Sequence, residues 1–107
     1  MEHKNYLYPS GEFAKLVGVN KRTLHYYNDI GLFCPAVIGE NGYHYYTCFQ
    51  FAPLELILTL RKIGLSIDEI RQYVNRPSDK SFSQMMTKKV QVIDESIRQL
   101  LSAQDFL

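Results

Sequence analysis

Four polar side chains in the segment KRTLHYYNDI have the types and the spacing to contact nucleic acid. Lys21, Arg22, His25 and Tyr26 fall on one side of a helix at 3.6 residues per turn. Lysine and arginine neutralise phosphates, and arginine also hydrogen-bonds to the edges of bases. A solvated helix surface would show the same residues, so this segment alone does not decide between the two interpretations.

A second group of polar aromatic residues follows shortly afterwards. Val37 and Ile38, the turn residues 39–42 and the segment YHYY at 43–46 predict a β-hairpin, because Asn-Gly pairs favour the tight turns of hairpins. This two-stranded hairpin is the only β structure that we expect. Its tyrosine hydroxyls have the chemistry to donate hydrogen bonds to phosphates.

Metal binding and catalysis find little support in the sequence. Cys34, His44 and Cys48 have loose spacing and lack a fourth ligand for zinc, so we predict no metal site and interpret Cys34 as a small buried hydrophobe. The chain shows no nucleophile–base pair, no glycine-rich phosphate loop and no paired carboxylates. We therefore predict that it is not an enzyme and has no cofactor.

Two short helices must position the first group of residues. We expect Ser10 to cap the first helix, with Phe13, Leu16 and Val17 on its inner face and Gly18 at its end. Asn20 then caps a second helix that runs from Lys21 to about Asp29 and closes at Gly31, with Leu24 and Tyr27 facing inward.

Three further helices follow the hairpin. Thr47-x-x-Gln50 and Ser66-x-x-Glu69 have the form of capping boxes. Pro53 leaves two alternatives, a bend in the third helix or a later start near Pro53. Residues 78–80 are interpreted as a linker, and Ser81-x-x-Gln84 as the start of the last helix.

The last helix carries an apolar seam with alternating steps of four and three residues. This heptad pattern predicts a coiled coil that joins two copies of the chain, although a helix packed on its own domain gives a similar stripe. The predicted seam consists of Met86, Val90, Ile93, Ile97 and Leu100.

Composition restricts the function less than the motifs do. The 107 residues carry a formal net charge of +1, so binding to nucleic acid must depend on local placement of charge. The N-terminus has no apolar signal region, and no apolar stretch is long enough to span a bilayer. We expect a reduced, cytoplasmic protein without a membrane partner.

Taken together, the ordered motifs resemble the MerR-type (mercury-resistance regulator) family of bacterial transcription factors. The resemblance covers residues 6–76 and is carried by GEFAKLVGV (11–19), RTLHYYNDIGLFCPA (22–36), ENGYHYYT (40–47) and LRKIGLSIDEIRQYV (60–74). It implies a mainly α, winged helix-turn-helix domain at 6–76 with a two-stranded hairpin wing. It also implies a C-terminal coiled-coil dimerisation helix at 81–107.

The resemblance also implies a function and a set of contacts. It implies a homodimer that binds a near-palindromic promoter site in duplex DNA, distorts the DNA and so acts indirectly on RNA polymerase. The implied DNA-binding residues lie on the recognition helix, on the wing and on the third helix: Lys21, Arg22, Thr23, His25, Tyr26, Tyr27, Tyr43, His44, Tyr46 and Arg61.

Two histidines depart from the family pattern. His25 and His44 stand where the family usually has arginine, and histidine has a shorter reach and cannot make the forked contact to guanine. We expect affinity for DNA to rise as pH falls if either ring meets a phosphate, because phosphate favours the imidazolium. The low net charge and these replacements also motivate an alternative, a protein-interaction module that keeps the fold without productive DNA binding.

The sequence names no effector. Leu107 lies inside the last predicted helix without a stop signal. We therefore expect either a fragment of a longer regulator or a short member of the family that needs no ligand.

Overall fold

The computed structural model describes residues 7–106, which divide into two compact units, one ending at Gly64 and the other beginning at Leu65. The elements of the first unit are β1 (Leu7–Pro9), α1 (Ser10–Val17), α2 (Lys21–Asp29), β2 (Val37–Ile38), β3 (His44–Thr47), a short 3-10 helix (Cys48–Gln50) and α3 (Phe51–Lys62). The second unit contains α4 (Ile67–Asn75) and α5 (Asp79–Gln104). The predicted mainly α, winged helix-turn-helix fold is confirmed.

Local turn chemistry positions α1 and α2. Gly18 ends α1 in the left-handed region, at φ 88°, where a Cβ would be strained. The side chain of Asn20 accepts a hydrogen bond from the Arg22 amide at 2.8 Å, as predicted. These two signals set the angle and the start of α2, and they depend only on neighbouring residues.

The start and the inner face of α1 differ from the prediction. Pro9 is the N-cap residue, and the hydroxyl of Ser10 instead donates to the carbonyl of His44 at 3.2 Å. Leu16 is 60% exposed, whereas Phe13 and Ala14 are buried. The expected cap and the inward position of Leu16 were therefore wrong, because contacts with the strands decide which side of this two-turn helix is covered.

The sheet has three strands, not the two that we expected. Its order is β1-β3-β2, and both pairings are antiparallel, with Leu7 opposite Thr47 and Ile38 opposite His44. A three-residue strand is too short to show a period of two, so the sequence carried no signal for β1. The hairpin of β2 and β3 is present as predicted.

Buried aromatic and aliphatic side chains hold the first unit together. The ring of Tyr46 stacks against those of Phe13 and Phe33, with ring centroids 4.7 and 5.8 Å away and nearly parallel planes. Leu24 and Leu54 are also fully buried. This packing fixes β3 and α2 on the same core, which in turn fixes the surface residues that they carry.

Capping interactions begin the later helices. The predicted box of Thr47 and Gln50 opens the 3-10 helix, and α3 then begins at Phe51. Pro53 is therefore the third residue of α3. An amide hydrogen at this position has no intrahelical partner, so proline removes no hydrogen bond of the helix and requires no bend.

The two helices of the second unit also begin at caps. The predicted box of Ser66 and Glu69 opens α4, and the hydrogen bond from the Ser66 amide lowers the pKa of the Glu69 carboxyl. The start of α5 was predicted too late: Ser78 is its cap, with its hydroxyl accepting from the Ser81 amide at 2.9 Å. The supposed linker therefore contains a cap and the first turn of α5.

Within the described part of the chain, no helix combines the length and the apolar character that a membrane span requires.

Candidate nucleic-acid interface

The outer face of α2 is open to solvent. Lys21, Arg22, His25 and Tyr26 are exposed, with Tyr26 at 52%, and Thr23 is half-buried. Leu24, on the opposite face of the helix, is buried in the core. The helix therefore presents its cationic and hydrogen-bonding side chains together, as a helix that enters a groove must.

The hairpin continues this surface. The turn of the wing is ordered by Asn41, whose side chain accepts from the Tyr43 amide at 3.0 Å. Tyr43 is 63% exposed. The rings of His25 and His44 lie with their centroids 5.3 Å apart, so that α2 and the wing touch through the two histidines.

A cleft of about 500 Å³ lies where α1, α2 and the wing meet. Its lining combines three groups that can carry positive charge with one carboxylate: Lys21, His25, His44 and Glu12. The stem of Lys21 crosses toward α1, with its δ-carbon 3.9 Å from the position that a Cβ on Gly11 would occupy. The sequence analysis did not single out Glu12, and nothing in its local pattern placed it here.

Two predicted DNA-contacting tyrosines are part of the core. Tyr46 is fully buried and Tyr27 is 6% exposed, so neither side chain is available to DNA. Burial raises the pKa of the Tyr46 hydroxyl, and the charge of Cys34 acts in the same direction. The assignment of these two tyrosines as DNA contacts is corrected, because the inward face of α2 and the pleat of β3 turn both rings toward the core.

Arg61 is exposed but lies in a different place from the histidine cleft. It lines a separate groove with the turn residues Gly18 and Val19. Lys62 lines the same groove and is also exposed. The sequence analysis missed Lys62, although its position beside Arg61 in the last turn of α3 was a usable signal.

Cys34 does not match its interpretation as a small buried hydrophobe. Cys34 is exposed and Cys48 is half-buried, and both are free thiols. The Gln50 amide donates to the carbonyl of Cys34 at 2.8 Å, which ties the loop before β2 to the 3-10 helix. Among residues 7–106, no group of three or more metal-ligating side chains is present.

The exposed seam of α5 is the second candidate surface. Val90, Ile93, Ile97 and Leu100 are between 39 and 71% exposed, and Met86 is half-buried. At 1.5 Å per residue the 26-residue helix is about 39 Å long. The seam from Met86 to Leu100 covers about half of this length, and an apolar strip in contact with water is typical of an interface with another chain.

A recognition helix beside a hairpin wing defines the winged helix-turn-helix class. A family model described as MerR HTH family regulatory protein matches residues 8–76, and one described as MerR, DNA binding matches residues 51–107. The chain therefore belongs to the MerR family of helix-turn-helix regulatory proteins.

Individual relatives agree with this assignment. The multidrug-efflux transporter 2 regulator of Bacillus subtilis (strain 168) is 34% identical over 100 residues, which are 94% of this chain and 37% of that protein. A crystal structure of a MerR-family transcriptional regulator from Bacillus cereus is 28% identical and has a TM-score of 0.74, covering 92% of this chain and 78% of that one.

A DNA complex is also among the similar structures. The cryo-EM structure of the EcmrR-DNA complex in EcmrR-RPo is 32% identical to this chain, has a TM-score of 0.72, and covers 92% of this chain and 38% of that one. The chain spans less than two fifths of the length of the curated relatives it matches.

Proposed function

We propose that this protein is a transcriptional regulator that binds duplex DNA as a homodimer. The observation that carries the proposal is the continuous surface of α2 and the wing. The two elements are joined by the rings of His25 and His44, whose centroids are 5.3 Å apart. Lys21, Arg22 and Tyr26 lie on the same exposed side of α2. The family membership and the similarity to a DNA complex support the proposal.

Each part of the interface has a distinct role in this proposal. The α2 helix enters the major groove, where Arg22 and Thr23 face base edges and Lys21 faces a phosphate. Tyr43 and His44 of the wing contact the neighbouring backbone. Arg61, together with Lys62, contacts phosphate at the separate groove near Gly18.

Two copies of the chain are needed for a near-palindromic site. The exposed seam of α5 pairs with that of a second copy in a coiled coil, which buries side chains that are otherwise in water. The two recognition helices then meet half-sites about 34 Å apart, or a multiple of that distance. In this proposal residues 6–76 form the DNA-binding domain and residues 81–107 form the dimerisation helix.

Regulation in this proposal works through the shape of the DNA. Twisting and bending of the promoter between the half-sites makes it usable by RNA polymerase without a direct contact to the enzyme. The protein acts in the cytoplasm, as a DNA-binding regulator and not as an enzyme. The similar EcmrR structure, described as a DNA complex in an RPo assembly, supports this view of the partners.

Fluorescence anisotropy with labelled promoter DNA of the encoding gene tests the proposal. We expect binding that weakens steeply with salt, and we expect Lys21→Ala to lower affinity on all sequences and reduce the salt slope by about 1 per protomer. Lys80→Ala, which removes the same charge from the exposed first turn of α5, is the matched control. A folded dimer with no salt-sensitive binding would contradict the proposal and favour the protein-interaction alternative.

A further inference from the structure

The cleft between α1, α2 and the wing holds two imidazoles at a distance that lets both reach one ligand. The ring centroids of His25 and His44 are 5.3 Å apart, and their planes are inclined by 47°. Both rings line the same cleft of about 500 Å³, together with Lys21. An anion with several acceptor oxygens is the ligand that suits this group of donors.

The two rings differ in what they can donate. The Nδ1 atom of His44 is buried and has no hydrogen-bond partner, whereas His25 is exposed. A proton on the buried Nδ1 would leave a donor without an acceptor, which is costly. His44 is therefore suited to donate from Nε2, whereas the exposed ring of His25 has no such constraint from burial.

Two other charged side chains line the cleft, Glu12 from α1 and Lys21 from α2, and Tyr43 of the wing adds a phenol hydroxyl. The carboxylate of Glu12 favours a cation in the cleft and the ammonium group of Lys21 disfavours one, so their effects on a cation oppose each other. A second positive imidazole 5.3 Å from the first would add repulsion between like charges.

We propose that this cleft binds one backbone phosphate of DNA through a pair of histidines that carries a single proton, on His25. His44 contributes a neutral hydrogen bond from a fixed position, since its carbonyl accepts from the Ser10 hydroxyl of α1, its strand pairs with β2, and its ring lies against that of His25 on α2. This inference rests on the proposed DNA binding and adds the site of one phosphate and its dependence on one proton per protomer.

The test measures affinity for promoter DNA by anisotropy between pH 5.5 and 8.5 at constant ionic strength. For the unmodified protein we expect affinity to rise toward low pH, by at most about tenfold per pH unit for each protomer that takes up a proton. We expect His25→Gln to bind weakly with a flat pH profile and His25→Arg to bind tightly with a flat profile. His44→Gln should bind more weakly yet keep the pH dependence.

Controls separate this inference from the proposed function. Lys21→Ala should weaken binding at every pH and keep the rise in affinity toward low pH, and circular dichroism checks that each variant is folded. Salt-sensitive DNA binding with a flat profile in the unmodified protein, or a slope lost in His44→Gln and kept in His25→Gln, would overturn the histidine pair alone. Absence of DNA binding at all pH values would overturn both proposals.

Inorganic phosphate, exchanged for chloride at the same ionic strength, distinguishes the source of the phosphate. We expect no change in DNA affinity. A backbone phosphate is held in the cleft by the simultaneous contacts of α2 and the wing with the duplex, and free phosphate lacks those contacts. Competition by millimolar inorganic phosphate that disappears in His25→Gln would assign the cleft to free phosphate and overturn the DNA assignment.

Discussion

Tyr46→Phe should stabilise the protein and leave DNA binding unchanged. The hydroxyl of Tyr46 is buried and lacks a hydrogen-bond partner. A buried polar group without a partner costs about 1–3 kcal/mol. The ring contacts with Phe13 and Phe33 do not involve the hydroxyl, so phenylalanine preserves them.

The expected gain in the free energy of unfolding is the cost of burying the unpartnered hydroxyl minus the dispersion energy of the contacts that its oxygen makes. One atom contributes a few dispersion contacts of about 0.1–0.2 kcal/mol each, which offsets part of the gain. We therefore expect the free energy of unfolding to rise by about 1 kcal/mol. For a domain of this size that corresponds to a rise in Tm of about 4–8 °C.

Thermal unfolding at a fixed protein concentration measures this change, because the Tm of the proposed dimer depends on concentration. Tyr45→Phe is the matched control: its hydroxyl accepts from the side chain of Asn41 at 3.4 Å near the surface. We expect a change within about 0.5 kcal/mol for the control. An unchanged or lower Tm for Tyr46→Phe would show that the buried hydroxyl has a hydrogen-bond partner. A several-fold loss of DNA affinity would show that the hydroxyl contacts DNA.

The alkaline side of the stability curve gives an independent measurement. Burial raises the pKa of Tyr46 in the folded protein, so above about pH 10 the unfolded chain loses the phenolic proton first. The unfolded state then binds fewer protons, and stability falls as pH rises. Phenylalanine at this position removes that contribution, so the stability difference between Tyr46→Phe and the unmodified protein should widen above pH 10.

Two further predictions concern the seam and the core. Ile93→Asp or Ile97→Asp, at sites 39 and 48% exposed, should convert the proposed dimer to a folded monomer in sedimentation velocity. Val92→Asp, beside the seam, should leave the proposed dimer intact. Equal effects at all three positions would contradict the proposed seam. Leu24→Ala, at a fully buried site, should lower the free energy of unfolding by about 2–5 kcal/mol, and Leu16→Ala, at a site 60% exposed, by less than about 0.5 kcal/mol; comparable losses in chemical denaturation would contradict the observed inner face of α1.

Signals that act between near neighbours were readable from the sequence. The left-handed end of α1 at Gly18, the Asn20 cap and the capping box of Ser66 and Glu69 each depend on residues at most four positions apart. The turn at Asn41 belongs to the same class, because its side chain bonds to the amide two residues later. Such signals predicted the helix pair, the hairpin and the exposed face of α2.

The errors lie where distant parts of the chain meet. Strand β1 exists because Leu7 pairs with Thr47, and Ser10 leaves its expected capping role because the carbonyl of His44 is within reach. The sequence contains four aromatic or histidine residues in a row at 43–46, and it does not say which of them the sheet turns inward. Packing on Phe13 placed Tyr46 in the core.

The order of local caps, turns and apolar spacings in this chain sufficed to determine its class, its helix pair and its wing, because those features depend on neighbouring residues. Tertiary packing decided which tyrosines are available at the surface and brought His25 and His44, nineteen positions apart, to within 5.3 Å. That contact depends on the close packing of α2 and the sheet on one core, which no local pattern encodes.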